Sequence, residues 1–205
     1  MPRPRVYEPD RVLDAVESLA VAGGPAAVTI RAVSAAVGVS NGALYHTFGS
    51  RSGLLGRAWI RAARRFFSLQ NTLVGEALAD GGPRAAVTAA AEAPATFAEQ
   101  HPDSSTVLWA VSREELLDSD LPDDVAAELH ELHRSLVGLL IRLAVNLWDR
   151  KDPRAVDTIT TCIVDLPTAI MLRRDRLANL TAREHLRASV RAVLDVGPPP
   201  PEERK

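Results

Sequence analysis

Residues 28–55, VTIRAVSAAVGVSNGALYHTFGSRSGLL, limit the fold more than any other stretch of the chain. Thr29 can cap the open N–H groups of a first helix that runs to about Val37. Gly38 follows, a residue that takes positive φ at no steric cost and so ends a helix. Ser40 is a second cap, for a helix from Asn41 to Thr47, and a longer helix opens near Ser50. Ile30, Val33 and Val37 recur on one face of the first helix. Val39, Leu44 and Phe48 close the same small core from the other side, which leaves Asn41, Gly42, Ala43, Tyr45 and His46 outward. Two short capped helices joined by a Gly-containing turn make a helix-turn-helix unit, whose second helix can enter a DNA major groove.

The rest of the chain reads as helix throughout. Helix 1 starts after Pro9, buries Leu13, Val16 and Leu19-Ala20, and ends at Gly23-Gly24-Pro25. Helix 4 runs on from Ser50 with Leu55, Ala58-Trp59, Ala62 and Phe66 at helical spacing, so no flexible linker follows the first domain. Asp80-Gly81-Gly82-Pro83 breaks the chain. An Ala-rich helix over 84–100 is expected to be interrupted or kinked at Pro94. His101-Pro102-Asp103 breaks again before one or two short helices over 103–118. Val125, Leu129, Leu132, Leu136, Leu139, Leu143 and Leu147 then mark a long core helix. A helix over 154–177 kinked at Pro167 and a last helix capped by Thr181 complete the set. No strand, hairpin or long repeat is visible. The expected fold is all-α, with a three-helix N-terminal domain over 1–50, a larger helical domain over 51–196 joined by a continuous helix, and a disordered tail over 197–205.

Composition narrows the class. The chain has 205 residues, 46% hydrophobic and 24% charged, which suffices for a sizeable core. Its single cysteine, Cys162, excludes an intramolecular disulfide and reads as a small buried hydrophobe. No apolar run reaches the roughly 18 residues needed to cross a bilayer. MPRPRVYEPD has no apolar stretch of the secretory kind. The expectation is a cytoplasmic protein with no membrane contact. Net charge is −2, unevenly spread: nine arginines against four acids give residues 1–70 a charge of +5 and leave −7 for the remainder. A basic end on an acidic body suits a polyanion partner. Arg57, Arg61, Arg64 and Arg65 read equally well as a solvated helix face.

Thr29, Val37-Gly38-Val39-Ser40, Leu44-Tyr45, Phe48, Arg51 and Leu54-Leu55 together resemble the DNA-binding domain of the TetR family of bacterial transcriptional regulators, over roughly residues 8–60. Val37 stands where that family has Ala, Ser34 where Ala is common, and Arg51 where Lys is commoner. His46 is displaced from its usual place before the Phe. Gly49, Gly53 and Gly56 are expected to loosen the start of helix 4.

The resemblance implies a transcriptional regulator, a homodimeric repressor on an inverted-repeat operator in double-stranded DNA, released by a small apolar or amphipathic effector. It implies DNA contact by Thr29, Arg31, Ser40, Asn41, Gly42, Ala43, Tyr45, His46 and Arg51. Thr29, Tyr45 and Arg51 would clamp phosphates, and Asn41, Ala43 and His46 would read base edges. Arg3 and Arg5 could enter the minor groove as an arm. The last two helices would pair with a second copy through Ile163, Leu166, Ile170, Leu186, Val190 and Val193. Phe97, Trp109, Trp148 and Met171, with His130 or His133 at a polar edge, are the candidate effector pocket. His130 and His133 also have a spacing that can chelate zinc, although a solvated surface is the simpler reading and no metal or cofactor is expected. No Gly-rich phosphate loop or nucleophile–base motif suggests an enzyme. The alternative is a helical dimeric interaction protein that acts through protein contacts without effector gating.

Overall fold

The computed structural model describes residues 8–201. Arg3 and Arg5, and residues 202–205 of the expected tail, lie outside them. Every regular element among the described residues is helical: α1 (Pro9–Gly23), a 3-10 turn (Pro25–Ala27), α2 (Ile30–Val37), α3 (Asn41–Phe48), α4 (Arg51–Gln100), α5 (Pro102–Ala110), α6 (Arg113–Leu117), α7 (Asp123–Trp148), α8 (Pro153–Thr160) and α9 (Leu180–Val196). The contacts divide the chain into two compact units, residues 1–64 with 101–132, and residues 65–100 with 133–205. The division therefore does not follow chain order, as a boundary at residue 50 would, and α4 and α7 contribute to both units.

In the first unit α1 packs against α2 and α5. Val12, Val16, Val28, Val33, Leu44 and Phe48 are almost wholly buried, as the periodicity of α1 to α3 requires. Leu54 and Ala58 of α4 join them at 0% exposure. The sequence gives no hint that Glu17 is also buried. Its carboxylate meets Arg61 at 2.7 Å and accepts the Ser104 hydroxyl at 3.0 Å, which ties α1 to α4 and α5. Asp14, at 2.9 Å from the same guanidinium, supports that pair.

The second unit is a helical core of Val87, Ala90, Leu143, Ile159, Met171, Leu186 and Val190, among others. α4 breaks at Gly82 (φ 76°, ψ −170°), within the expected Asp80–Pro83 break. At Pro94, where an interruption or a kink is expected, the helix is not interrupted. A proline in a helix deprives the carbonyl four residues back of its donor. That carbonyl belongs to Ala90, and it accepts from Gln70 Nε2 at 3.0 Å. The expected helix over 154–177 is shorter and wider than foreseen. After α8 come two π-helical turns, Thr161–Asp165 and Thr168–Leu172, on either side of Pro167. Leu166 N–H bonds back five residues to Thr161, and Arg173 N–H to Thr168 at 2.9 Å. The wider register accommodates a residue with no N–H of its own.

Asn179 caps α9, its side chain accepting from Ala182 N–H at 2.9 Å, two residues before the expected Thr181. Arg183 and Arg187 of α9 reach Glu99 (2.6 Å) and Glu92 (2.7 Å) on α4. Residues 197–201 of the expected disordered tail have no regular structure, yet Pro199 and Pro200 carbonyls accept from Arg150 (2.9 Å) and Arg154 (2.7 Å). One segment is more apolar than the sequence reading allowed. The segment Pro153–Leu172 is long and apolar enough to cross a membrane by length and composition, with 33% of it buried. It carries Asp157, Asp165 and Pro167, and core helices of soluble proteins pass the same test.

Candidate nucleic-acid interface

The local chemistry of residues 28–50 builds a rigid helix-turn-helix. Thr29 Oγ1 accepts from Ala32 N–H at 3.1 Å, and Ser40 Oγ accepts from Ala43 N–H at 3.3 Å. Each bond satisfies a first-turn donor that the helix itself cannot. Gly38 lies at φ 70°, ψ 27°, and its N–H returns to Ser34 at 2.9 Å. Ser34, the departure from Ala, has a use here: its hydroxyl donates to Val39 O at 2.6 Å and pins the turn.

The face of α3 away from Leu44 and Phe48 is open. Asn41, Gly42, Tyr45, His46 and Thr47 are exposed, Tyr45 at 54%. The tyrosine is thus not the half-buried packing residue that its size would allow. Gly42 has nothing within 4 Å of where a Cβ would stand, so no neighbour inside the protein requires a glycine there. Thr29, Arg31 and Ser40 are exposed nearby, and Ala43 is half-buried.

Arg51 is placed differently from the expected phosphate clamp. Its Nε donates to Val28 O and one Nη to Pro25 O, both at 2.6 Å. These charge-assisted bonds staple the start of α4 to the turn before α2. Arg51 itself remains exposed, with Nε and one Nη committed to these carbonyls. The arginine stripe of α4 is likewise engaged. Arg57 pairs with Asp124, Arg61 with Asp14 and Glu17, and Arg64 with Glu128 at 2.7 Å. The hydrogen bond from Arg57 holds the Asp124 carboxyl below its ordinary range. The solvated-face reading is therefore refined for Arg57, Arg61 and Arg64, which bind acids of α1 and α7.

The other expected sites are dispersed. Trp109 and His130 lie in the first unit; Phe97, His133, Trp148 and Met171 lie in the second. Phe97 is fully buried, edge-on to Phe66 with centroids 5.5 Å apart. Met171 is fully buried and Trp148 packs on the same core. His130 and His133 are exposed, and His130 Nδ1 faces an Arg113 nitrogen at 3.2 Å. Among the expected interface residues, Ile163 (5%), Leu186 (0%) and Val190 (0%) belong to the core of their own unit, whereas Leu166, Ile170 and Val193 are only partly buried. Cys162 is fully buried, and burial pushes its thiol up to about 12.

A capped two-helix unit with an open polar second helix, among described residues whose regular elements are all helical, defines a helix-turn-helix fold. Residues 12–58 match the model of the family described as bacterial regulatory proteins, tetR family. No curated protein sequence matches the chain. Solved structures share its fold at low identity. A TetR-like transcriptional regulator from Rhodococcus sp. RHA1 is 20% identical, covering 95% of this chain and 99% of its own, with a TM-score of 0.62. The fatty acid degradation regulator FadR from Bacillus halodurans is 14% identical over 91% and 98%, with a TM-score of 0.63. The ketosteroid transcriptional regulator KstR2 of Mycobacterium tuberculosis is 15% identical over 95% and 97%, with a TM-score of 0.60.

Proposed function

We propose that this chain is a cytoplasmic, non-enzymatic, homodimeric repressor that binds an inverted-repeat operator in double-stranded DNA and is released by a small apolar or amphipathic effector. The observation that carries the DNA-binding part is the exposed polar face of α3 behind a capped N-terminus. Asn41 can pair with adenine in two bonds, and His46 can accept from or donate to a base edge. Thr29, Ser40, Tyr45 and Arg31 surround that face and suit phosphate oxygens, which helix N-termini favour.

The dimer reading rests on the segment Pro153–Leu172, apolar yet only one-third buried. Leu166, Ile170 and Val193 remain partly open for a second copy. Ala192 and Val196 of α9 extend that face, Val196 at 87% exposure. Two helices from each copy would form a four-helix bundle about a two-fold axis. The effector reading is supported by Gln70, 2% exposed, whose Oε1 has no hydrogen-bond partner among the described residues. Its Nε2 is committed to Ala90 O, which leaves the buried oxygen as an acceptor that a donor group on an apolar molecule would satisfy. An effector acts by binding the two conformations unequally, and tenfold relief of DNA binding needs about 1.4 kcal/mol of coupling.

Gel shifts with the DNA upstream of the chain's own gene test this reading. Sequence-specific retardation that excess unrelated DNA does not compete away is expected. Retardation abolished equally by any DNA, or none at low salt, would overturn it. The complete burial of Phe97 and Met171 favours the interaction-protein alternative for the second unit; that reading predicts capture of a protein partner and no operator binding.

A further inference from the structure

Between α3 and α4 stand only Gly49 and Ser50, so any rotation of the start of α4 is handed to the recognition helix. A segment from much later in the chain grips this junction. A Cβ on Gly49 would lie 3.2 Å from Pro122 Cγ, and one on Gly53 would lie 3.0 and 3.1 Å from Pro122 Cγ and Cδ. One turn on, a Cβ on Gly56 would lie 2.8 Å from Val125 Cγ1 and 3.1 Å from Leu121 Cδ2. Polar contacts fix the same approach. The Ser50 hydroxyl donates to Asp120 O at 3.1 Å, while its oxygen accepts Gly53 N–H at 2.9 Å. Arg57 closes the dock on Asp124, with Glu128 at 4.0 Å behind it. The three-helix module is already locked internally by Arg51 and Ser34. Arg61 and Ser104 hold the α1 side of the module through Glu17, and the dock of residues 120–125 holds the α3 side.

From this we infer that Pro122 is a positioning residue for operator recognition, with Asp124 as its polar partner. The proline ring fills the space left by Gly49 and Gly53 and fixes the orientation of α3 relative to the N-terminal turns of α7. The inference rests on the DNA-binding reading above. Base contacts tolerate displacements of only about 0.5 Å, whereas phosphate contacts made by long side chains tolerate more. Loosening the dock should thus damage specific binding and spare non-specific binding.

Full-length Pro122→Ala tests this, since it removes the ring and keeps the carbonyl that accepts from Ala126 N–H at 3.1 Å. Asp124→Asn is the second variant, because its side chain is 61% exposed and the amide keeps its shape while removing the charge that pairs with Arg57. Fluorescence anisotropy is read on the operator and on an unrelated duplex of equal length, with circular dichroism to verify folding. The expected result is a loss of roughly tenfold on the operator, the size of one lost bidentate base contact. Affinity for unrelated DNA and the salt slope should stay unchanged, because the phosphate contacts persist. Equal losses on both duplexes, or no loss on the operator in either variant, would overturn the positioning role. Failure of the unaltered protein to prefer the operator would instead overturn the DNA-binding reading itself.

Discussion

Gly53→Ala is a change that helix propensity alone favours. Replacing a helix-interior glycine by alanine gains about 1 kcal/mol. The structure reverses the sign. An added Cβ would lie 2.1 Å from Phe48 O, and that oxygen is backbone with no side-chain torsion to relieve it. Pro122 presses from the other side at 3.0 Å. Overpacking of this kind costs about 1–3 kcal/mol, and more where backbone must move. The net expectation is destabilisation by up to about 2 kcal/mol, which at this chain length lowers Tm by up to roughly 8 °C. Gly56→Ala should cost less, because the atoms it meets are the methyl ends of Val125 and Leu121. The controls are Gly75→Ala and Gly138→Ala, which have nothing within 4 Å of the new atom. They should raise stability by up to about 1 kcal/mol. Thermal melts of the four variants at one protein concentration decide. If Gly53→Ala is as stable as the controls, the dock is not as tight as its distances imply.

The open face of α9 predicts that Ala192→Glu with Val196→Glu yields a folded monomer by sedimentation, whereas Leu186→Glu, in a core position at 0% exposure, unfolds the chain. Asp152, held to about 2 chiefly by its hydrogen bonds from Arg150, caps α8. Its carboxylate pKa is depressed in the folded state, so its contribution is fully present above the ordinary carboxylate range near 4 and is lost as pH falls towards 2. Asp152→Asn should accordingly flatten the fall of Tm with pH across that window, and an unchanged slope would count against the assignment. Cys162 should resist alkylation in the native chain at pH 8 and react once denatured, since burial keeps its thiol protonated.

What could be read from sequence was whatever depends on near neighbours. Thr29, Gly38 and Ser40 act within four residues of themselves, and each does what its type suggests. The core positions of α1 to α3 and α7 follow from periodicity for the same reason. Contacts that cross the chain were not legible. Arg51 finds its carbonyls at Val28 and Pro25, and Gln70 finds the one that Pro94 vacates twenty residues on. Gly53 and Gly56 look like weak points until Pro122 and Val125 are set against them. Leu186 and Val190 show the same limit in another form. An apolar stripe on a helix says that it is covered, not whether its own unit or a second copy covers it.

The arginines bear most directly on how such a chain would hold DNA. Residues 1–70 carry a net +5, which invites the view that the N-terminal part binds by bulk charge. Arg57, Arg61 and Arg64 are committed to carboxylates, and Arg51 to backbone carbonyls. A guanidinium already paired gains little from a phosphate, because the old partner must be given up. The α3 face itself carries no Lys or Arg between Asn41 and Phe48. Recognition would then lean on first-turn amides, hydroxyls and the polar edges of Asn41 and His46, with Arg31 as an exposed cation beside them. Few phosphates would be neutralised per copy, so log affinity should fall gently with log salt, by ~0.9 for each phosphate engaged. Arg31→Ala should reduce that slope measurably, while Arg64→Ala should leave it unchanged. A slope that drops equally in both variants would show that the ion pairs of α4 open on the DNA.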